Sequence, residues 1–500
     1  PLVVIARFTG TPADGHGQHQ LSGYLTPQAY RAAADPNAFP EQFKEGLRPW
    51  KALKLYVSQS MQANSANPPS LLVNTGDRDP LLGRSYFEIA MEGRSQHKTQ
   101  EMGTLELRGK QQSGVRLLDA VNKVENEKSV FDGIDTTIRG IAAASGNNDE
   151  GLKARLAELQ TVAESAVSQY DAFNPQKLIP VLAKGVKLAR EAAEATTNAD
   201  TKQMLDEKRM DFQYALQMAA GVVVDALSDS ETVNPGTSVG VAVRVFAPEV
   251  SGIKVLGSEV RVGQGWKSES TSAPAEDRSQ GFRPRNEVSV AASYFKVTPP
   301  ENALPTQPYW LVSPRKNFTF DWSAAGNAKN RPFQDEEATA AVRMNVGGEE
   351  IVVTKTVQYR YADDIRGEIR RSLNVVPRVT NALDSGLIVV PRSVAATTKE
   401  IVVSVTNHAA GASAGTVSLD LPDGWKSTAP VAFDLKVNGQ KTAATFTVTI
   451  PAGSKEGSYA IGVKSTVEGK SYNQSVQEIA YDHIQTHRRY SVSKVDVKVL

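Results

Sequence analysis

The feature that most constrains this chain is a change of hydrophobic period near Val233. Before it, apolar residues recur at helical spacing, as in Leu152, Leu156 and Leu159 and then Val162, Ala163 and Val167. After it, Val239, Val241, Val243 and Val245 alternate with Gly240, Ala242 and Arg244, the period of a half-buried strand. A helical pattern does not gather its apolar residues on one face of a strand, nor the reverse. The chain must therefore build helical and sheet layers with separate cores. Its 500 residues fit that demand, since domains run to about 150 residues each.

Three kinds of region follow. Up to about residue 107, strand and helix signals alternate: a short apolar strand at 2–6, helical signals at 18–25, and Thr26-Pro27 as N-cap and first position of a second helix to 34. Strands at 53–58 and 71–74 precede a helix over 81–100, with Leu82, Tyr86, Ile89 and Ala90 on one face. Alternating strands and helices predict a parallel α/β sheet. Residues 108–230 read as a helical hairpin or small bundle, with helices at 178–195 and 202–227 separated by Asn198-Ala199-Asp200. From 231 onward, strands at 288–297, 338–346, 351–361, 401–406, 415–421, 442–450 and 458–465 are punctuated by turns such as Gly347-Gly348 and Asn438-Gly439. They predict two Ig-like β-sandwich domains, 231–382 and 383–500. The polar stretch 271–285 reads as a mobile loop.

Composition excludes several functions. Lys+Arg 56 against Asp+Glu 55 leaves a net charge of +1, without the basic excess of a whole-chain nucleic-acid binder. Hydrophobic residues at 40% and charged ones at 22% are those of a globular chain rather than a disordered acidic one. Cysteine is absent, which removes disulfides, Cys-ligated zinc and thiol nucleophiles. That absence fits an exported protein, periplasmic or secreted. No apolar run approaches the length of a membrane-spanning helix. Residues 2–6 are too short for a signal-peptide core and have no basic leader, so the expectation is that the chain begins inside a domain.

Chemistry concentrates in Asp14-Gly15-His16-Gly17-Gln18-His19, directly after the first strand, where open α/β sheets place ligands. A three-residue spacing puts both imidazoles on one face of a helix. Neutral imidazole ligates zinc, and a neighbouring histidine can donate a proton or stabilise an oxyanion. The alternative is a polar loop with two surface histidines. His97 is either near that site, orienting a ligand, or a buried residue tying its helix to the sheet. His483 and His487 read as solvated. Trp425 is a sandwich-core residue or a sugar-stacking platform.

The stretch from Arg7-Phe8-Thr9-Gly10 through His19-Gln20 resembles the third metal-ligand segment of the PIG-L/LmbE-like deacetylases. His97-Lys98-Thr99-Gln100 is similar to that family's closing His-x-Ser-Gln pattern, with Thr99 in place of Ser. Phe39-Pro40-Glu41-Gln42 and Leu47-Arg48-Pro49-Trp50 are similar to a bacterial subgroup with extra C-terminal domains. The resemblance implies a partial Rossmann-like α/β domain over 1–107 and a zinc-dependent hydrolase acting on an N-acetylated sugar or glycoconjugate. It implies His19 as metal ligand, His16 as the catalytic assistant, and Asp14 and His97 as supporting residues around them. The family's His-Pro-Asp-Asp motif is missing from this chain, so zinc would need ligands that the chain does not supply. Leu421-Pro422-Asp423-Gly424-Trp425, with Ile450-Pro451-Ala452-Gly453 and Gly457-Ser458-Tyr459, resembles the NPCBM-associated sandwich domain, with Trp425 as a possible sugar contact.

Two functions compete: an incomplete N-acetylglucosaminyl deacetylase-like enzyme, and a non-catalytic glycan- or protein-binding scaffold built on β-sandwiches. Catalytic zinc takes about three protein ligands. The expected outcome is therefore weak zinc binding and no acetate release from N-acetylglucosamine-type substrates. Zinc analysis and an acetate assay on this chain, and on one extended upstream, check it. Robust turnover by the short chain refutes it.

Overall fold

A computed structural model describes residues 2–59, 68–274, 289–329 and 331–500. Most of the expected loop at 271–285 lies outside them. The chain divides into two compact units, one of residues 1–161 and 190–206, the other of 162–189 and 207–500. The boundaries expected at 107 and 230 do not coincide with this division, which runs through three long helices, Glu150–Ser168, Ile179–Ala195 and Ala199–Ala219.

The first unit begins as a β-α-β element. The strand Val3–Ala6 pairs parallel with Lys54–Gln59, and the helix Gly17–Ala32 lies between them in sequence. The sheet is not the parallel one expected. Gln112–Ala120 pairs antiparallel with both Lys54–Gln59 and Leu71–Asn74, giving a mixed four-stranded sheet. Two predicted helices at 18–34 are one, with Pro27 inside it. Proline removes the backbone donor that would serve the Gly23 carbonyl, and just before it the Thr26 hydroxyl donates to the Ser22 carbonyl at 2.7 Å. The helix expected over 81–100 is only Tyr86–Ser95, and Leu82 and Tyr86 are exposed. Its buried residues are polar: Ser85 caps the backbone N–H of Glu88, and the Glu88 carboxylate accepts from Ser85 in return. The sheet core centres on Leu55, Tyr56 and Val57. Beside them the Lys54 ammonium and the Tyr56 hydroxyl both donate to the Glu127 carboxylate, at 2.5 and 2.7 Å.

In the second unit the helix expected over 202–227 ends at Ala219, and a strand runs from Val223 to Ser228. Gly221 makes the reversal at φ +66°, a left-handed conformation that glycine adopts without steric cost. Gly185 lets the two helices close: a Cβ there would lie 2.3 Å from the Phe212 ring. Beyond them the period-two segments form sheets. Val223–Ser228 occupies the interior of a six-stranded sheet with Val239–Phe246 and Gln358–Asp363 as its neighbours. A three-stranded sheet holds Lys254–Val262, Ala338–Val346 and Glu349–Thr356.

The C-terminal region is a β-sandwich. Its four-stranded sheet contains Val379–Leu383, Thr397–Asn407 and Lys441–Ile450, and its other sheet is built on Ser413–Asp420, Gly457–Val467 and Lys494–Val499. Alternate residues of both sheets, among them Val403, Val405, Phe446, Val463 and Val497, form one core. The sandwich starts before the expected split, because Asn381 is already built into it: its side-chain amide donates to the Tyr472 carbonyl and its side-chain oxygen accepts from Ser465.

One ionic cluster fastens the six-stranded sheet. Asp225 is buried, and it receives Arg370 through both carboxylate oxygens at 2.5 and 3.2 Å and Arg360 at 3.4 Å. Removing one member of a buried pair leaves its partner's charge uncompensated. Asp225→Ala is expected to lower stability by about 3–5 kcal/mol, read from a shift in the urea midpoint.

Candidate functional site

The histidine pair forms at the end of the first strand. The loop after Val3–Ala6 winds around the Asp14 carboxylate, which accepts from the backbone N–H groups of Thr9 (3.0 Å), Gly10 (2.7 Å) and Thr11 (3.1 Å) and from the Thr9 hydroxyl. Desolvation pushes this carboxyl up, but the N–H bonds outweigh it and hold the group below the usual carboxylate range. The loop delivers His16 to the N-cap of Gly17–Ala32 and His19 to its first turn. Their rings meet edge to face at 5.1 Å, and His19 stacks on Phe8 at 4.1 Å. His19 Nδ1 lies 3.2 Å from the Asp14 carbonyl oxygen.

This arrangement brings together two imidazoles, where a catalytic zinc takes about three protein ligands. Among the described residues no group of three or more His, Asp or Glu side chains could hold a metal. With Nδ1 of His19 at a backbone carbonyl, only its Nε2 is left for a ligand. The Asp14 carboxylate is engaged by the backbone N–H groups of its own loop. His97 is exposed, with Nδ1 2.9 Å from the Arg94 carbonyl of its own helix end. It is neither a buried tie to the sheet nor within the histidine pair's network.

Trp425 belongs to the core of the C-terminal sandwich, 8% exposed, with its ring tilted on Tyr459 at 5.3 Å. Of the two readings of Trp425, this placement is that of the sandwich-core residue. No helix among the described residues is long and apolar enough to cross a membrane.

Sequence reasoning passed over another place. A cavity of about 380 Å³ opens among Gln307, Phe333, Gln334, Glu336, His487 and Arg488. His487 is half-buried rather than solvated, and it stacks on Phe333 at 5.2 Å with an interplanar angle of 11°. Burial pushes its pKa down, against the opposing pull of Glu336. A signal was present in the sequence: Tyr309, Trp310, Phe318, Phe320, Trp322 and Phe333 crowd into one loop region. The pairing with His487, more than 150 positions away, was not.

Comparison with known proteins gives one family match. The model described as "NPCBM-associated, NEW3 domain of alpha-galactosidase" matches residues 394–468. The match covers the middle of the C-terminal sandwich, while Val379, Val495 and Val497 of its core lie outside it. No curated protein matches the chain. Among solved structures it is similar to native alpha-2-macroglobulin from Escherichia coli, from domain MG7 to the C-terminus, at 15% identity over 24% of this chain and 16% of that one, TM-score 0.16. It is also similar to domains 4 and 5 of the S-layer protein SbsC, at 18% identity over 32% of this chain and 65% of that one, TM-score 0.14. A third similarity is to the N-terminal domain of PorA, at 14% identity over 24% of this chain and 96% of that one, TM-score 0.15. At TM-scores this low none of these likenesses bears on function.

The electrostatics of the C-terminal sandwich yield a pH dependence. His408 Nε2 lies 2.8 Å from the Thr380 hydroxyl. Burial pushes its pKa down to about 4, with Arg488 and Lys441 adding to the shift and Glu478 opposing it. Folded His408 thus stays neutral where the unfolded chain, at the ordinary 6.5, takes up a proton. Stability is unaffected above that value and falls as pH drops through it, by about 3 kcal/mol near pH 4. Urea denaturation across pH 4–8 is expected to show this slope, and His408→Asn is expected to flatten it.

Proposed function

We propose that this chain is a non-catalytic binding scaffold whose β-sandwiches engage glycan, with a protein partner as the other ligand class open to such surfaces. The observation that carries the reading is the NEW3 match over residues 394–468, a domain described as part of alpha-galactosidase. Among the described residues no third side chain joins His16 and His19, where a catalytic zinc takes about three protein ligands. The reading carries a location outside the cytoplasm, which the absence of cysteine accommodates.

The competing deacetylase reading keeps one point in its favour, the gathering of His16 and His19 past the end of the first strand of a β-α-β element. One experiment separates the two. The full chain is titrated calorimetrically with oligosaccharides of galactose and of N-acetylglucosamine, with and without EDTA, while acetate is assayed in parallel. The expected outcome is saccharide binding that is indifferent to EDTA, with no acetate released. Zinc-dependent acetate release that disappears in His19→Ala overturns the scaffold reading.

A further inference from the structure

We propose that the cavity beside Phe333 and His487 is a binding subsite for a neutral sugar residue. This deepens the scaffold reading by naming where the glycan sits, and it rests on that reading. The site lies outside residues 394–468, in the sheet region before the family match and in the strand pair Gln474–Ile479 and His487–Val492.

Two of the lining side chains each carry a buried polar atom without a hydrogen-bond partner: the Gln334 side-chain oxygen and Nη1 of Arg488. One is an acceptor and the other a donor. Each is held by the rest of its own side chain. The Gln334 amide donates to the Gln307 carbonyl at 2.9 Å. Arg488 is tied through Nη2 to Glu231 at 2.7 Å and through Nε to Glu478 at 3.1 Å. Buried groups of this kind ordinarily find partners, because leaving them bare forfeits their hydration. The lining as a whole offers both donors and acceptors, through Gln307, Gln334, Glu336 and Thr486, and so matches a ligand that carries both.

The apolar wall narrows the choice. Phe333 and His487 stack together, with Pro308 and Ile484 beside them, and Trp310 lies tilted against Phe333 at 5.3 Å. A sugar ring presents a C–H face to such a wall and hydroxyl groups to the polar one. An anion meets Glu336 and Glu337 in the lining, while Arg488 is already shared by two carboxylates. An amine cation brings only donors, where the lining offers both donors and acceptors. An apolar ligand leaves the polar side of the lining without partners. The volume, about 380 Å³, is in the range of ligand pockets and holds one or two sugar rings. The pocket is also braced from behind: the Gln307 side-chain oxygen accepts the backbone N–H of Tyr490 at 2.9 Å, and Glu336 accepts the Ser372 hydroxyl at 3.0 Å.

The test uses the full chain with N,N′,N″-triacetylchitotriose and galactobiose as probes. Saturation-transfer NMR and calorimetry compare the parent with Phe333→Ala, Gln334→Leu and, as a remote control, Lys464→Ala. The expected result is binding of at least one probe that weakens about tenfold or more in Phe333→Ala and in Gln334→Leu, with circular dichroism unchanged and the control equal to the parent. About tenfold corresponds to the loss of one well-formed contact. If a probe binds and neither substitution weakens it, the sugar is held elsewhere: the subsite is refuted and the scaffold reading stands. If neither probe binds at 10-millimolar order (~10 mM, a free energy near the weak limit of specific recognition), the subsite is refuted and the glycan arm of the scaffold reading falls with it.

Discussion

The carboxylate of Asp225 is the interaction on which the second unit depends most. Its strand, Val223–Ser228, meets Gln358–Asp363 through a parallel ladder of only two residue pairs, Gln358 with Leu227 and Tyr359 with Ser228. Two pairs fix a register weakly. Arg360 and Arg370 are cross-strand partners in the neighbouring hairpin, and both reach the same buried carboxylate. The ion cluster supplies the positional definition that the short ladder lacks, at the cost of removing charges from water.

Consequences of that anchor run along the chain to the cavity. The hairpin strand Gly367–Ser372 leads into Asn374 and Val375, which pair parallel with Thr232 and Val233. Val375 donates its backbone N–H to the Thr306 hydroxyl, and Thr306 donates its own to the Val375 carbonyl. Gln307 follows directly and holds both Gln334 and Tyr490. A path of main chain and hydrogen bonds thus connects a buried charge in the sheet to the residues that line the cavity. The C-terminal sandwich relies on a different device, buried amides with every group satisfied. Asn407 is fully buried, donates to the Gly411 and Val437 carbonyls, and accepts from Ala409 and Ser413. Such side chains fix loop geometry where backbone ladders end.

The histidine pair shows how far a motif carries without its neighbours. The structure brings His16 and His19 together, yet the loop that does so consumes Asp14 as its internal brace. A carboxylate that accepts three backbone N–H groups is a structural residue. Chemistry at such a pair depends on further ligands converging from other elements, and within the described residues none do.

By itself the sequence determined the periods, and through them the kinds of layer. The alternation in 239–245 became a strand, the helical spacing in 178–195 became the helix Ile179–Ala195, and the Leu421-Pro422-Asp423-Gly424-Trp425 turn marked the sandwich that the family match covers. Period is legible because it is a local property of a chain that must bury one face. Tertiary structure alone decided the rest. It turned a sheet expected to be parallel into a mixed one, because Gln112–Ala120 returns antiparallel between Lys54–Gln59 and Leu71–Asn74. It carried one helix through Pro27 and stopped another at Ala219. It drew Trp425 into a core and His487 onto Phe333. Each of these outcomes depends on which distant surface a segment meets, and no pattern within the segment records that partner.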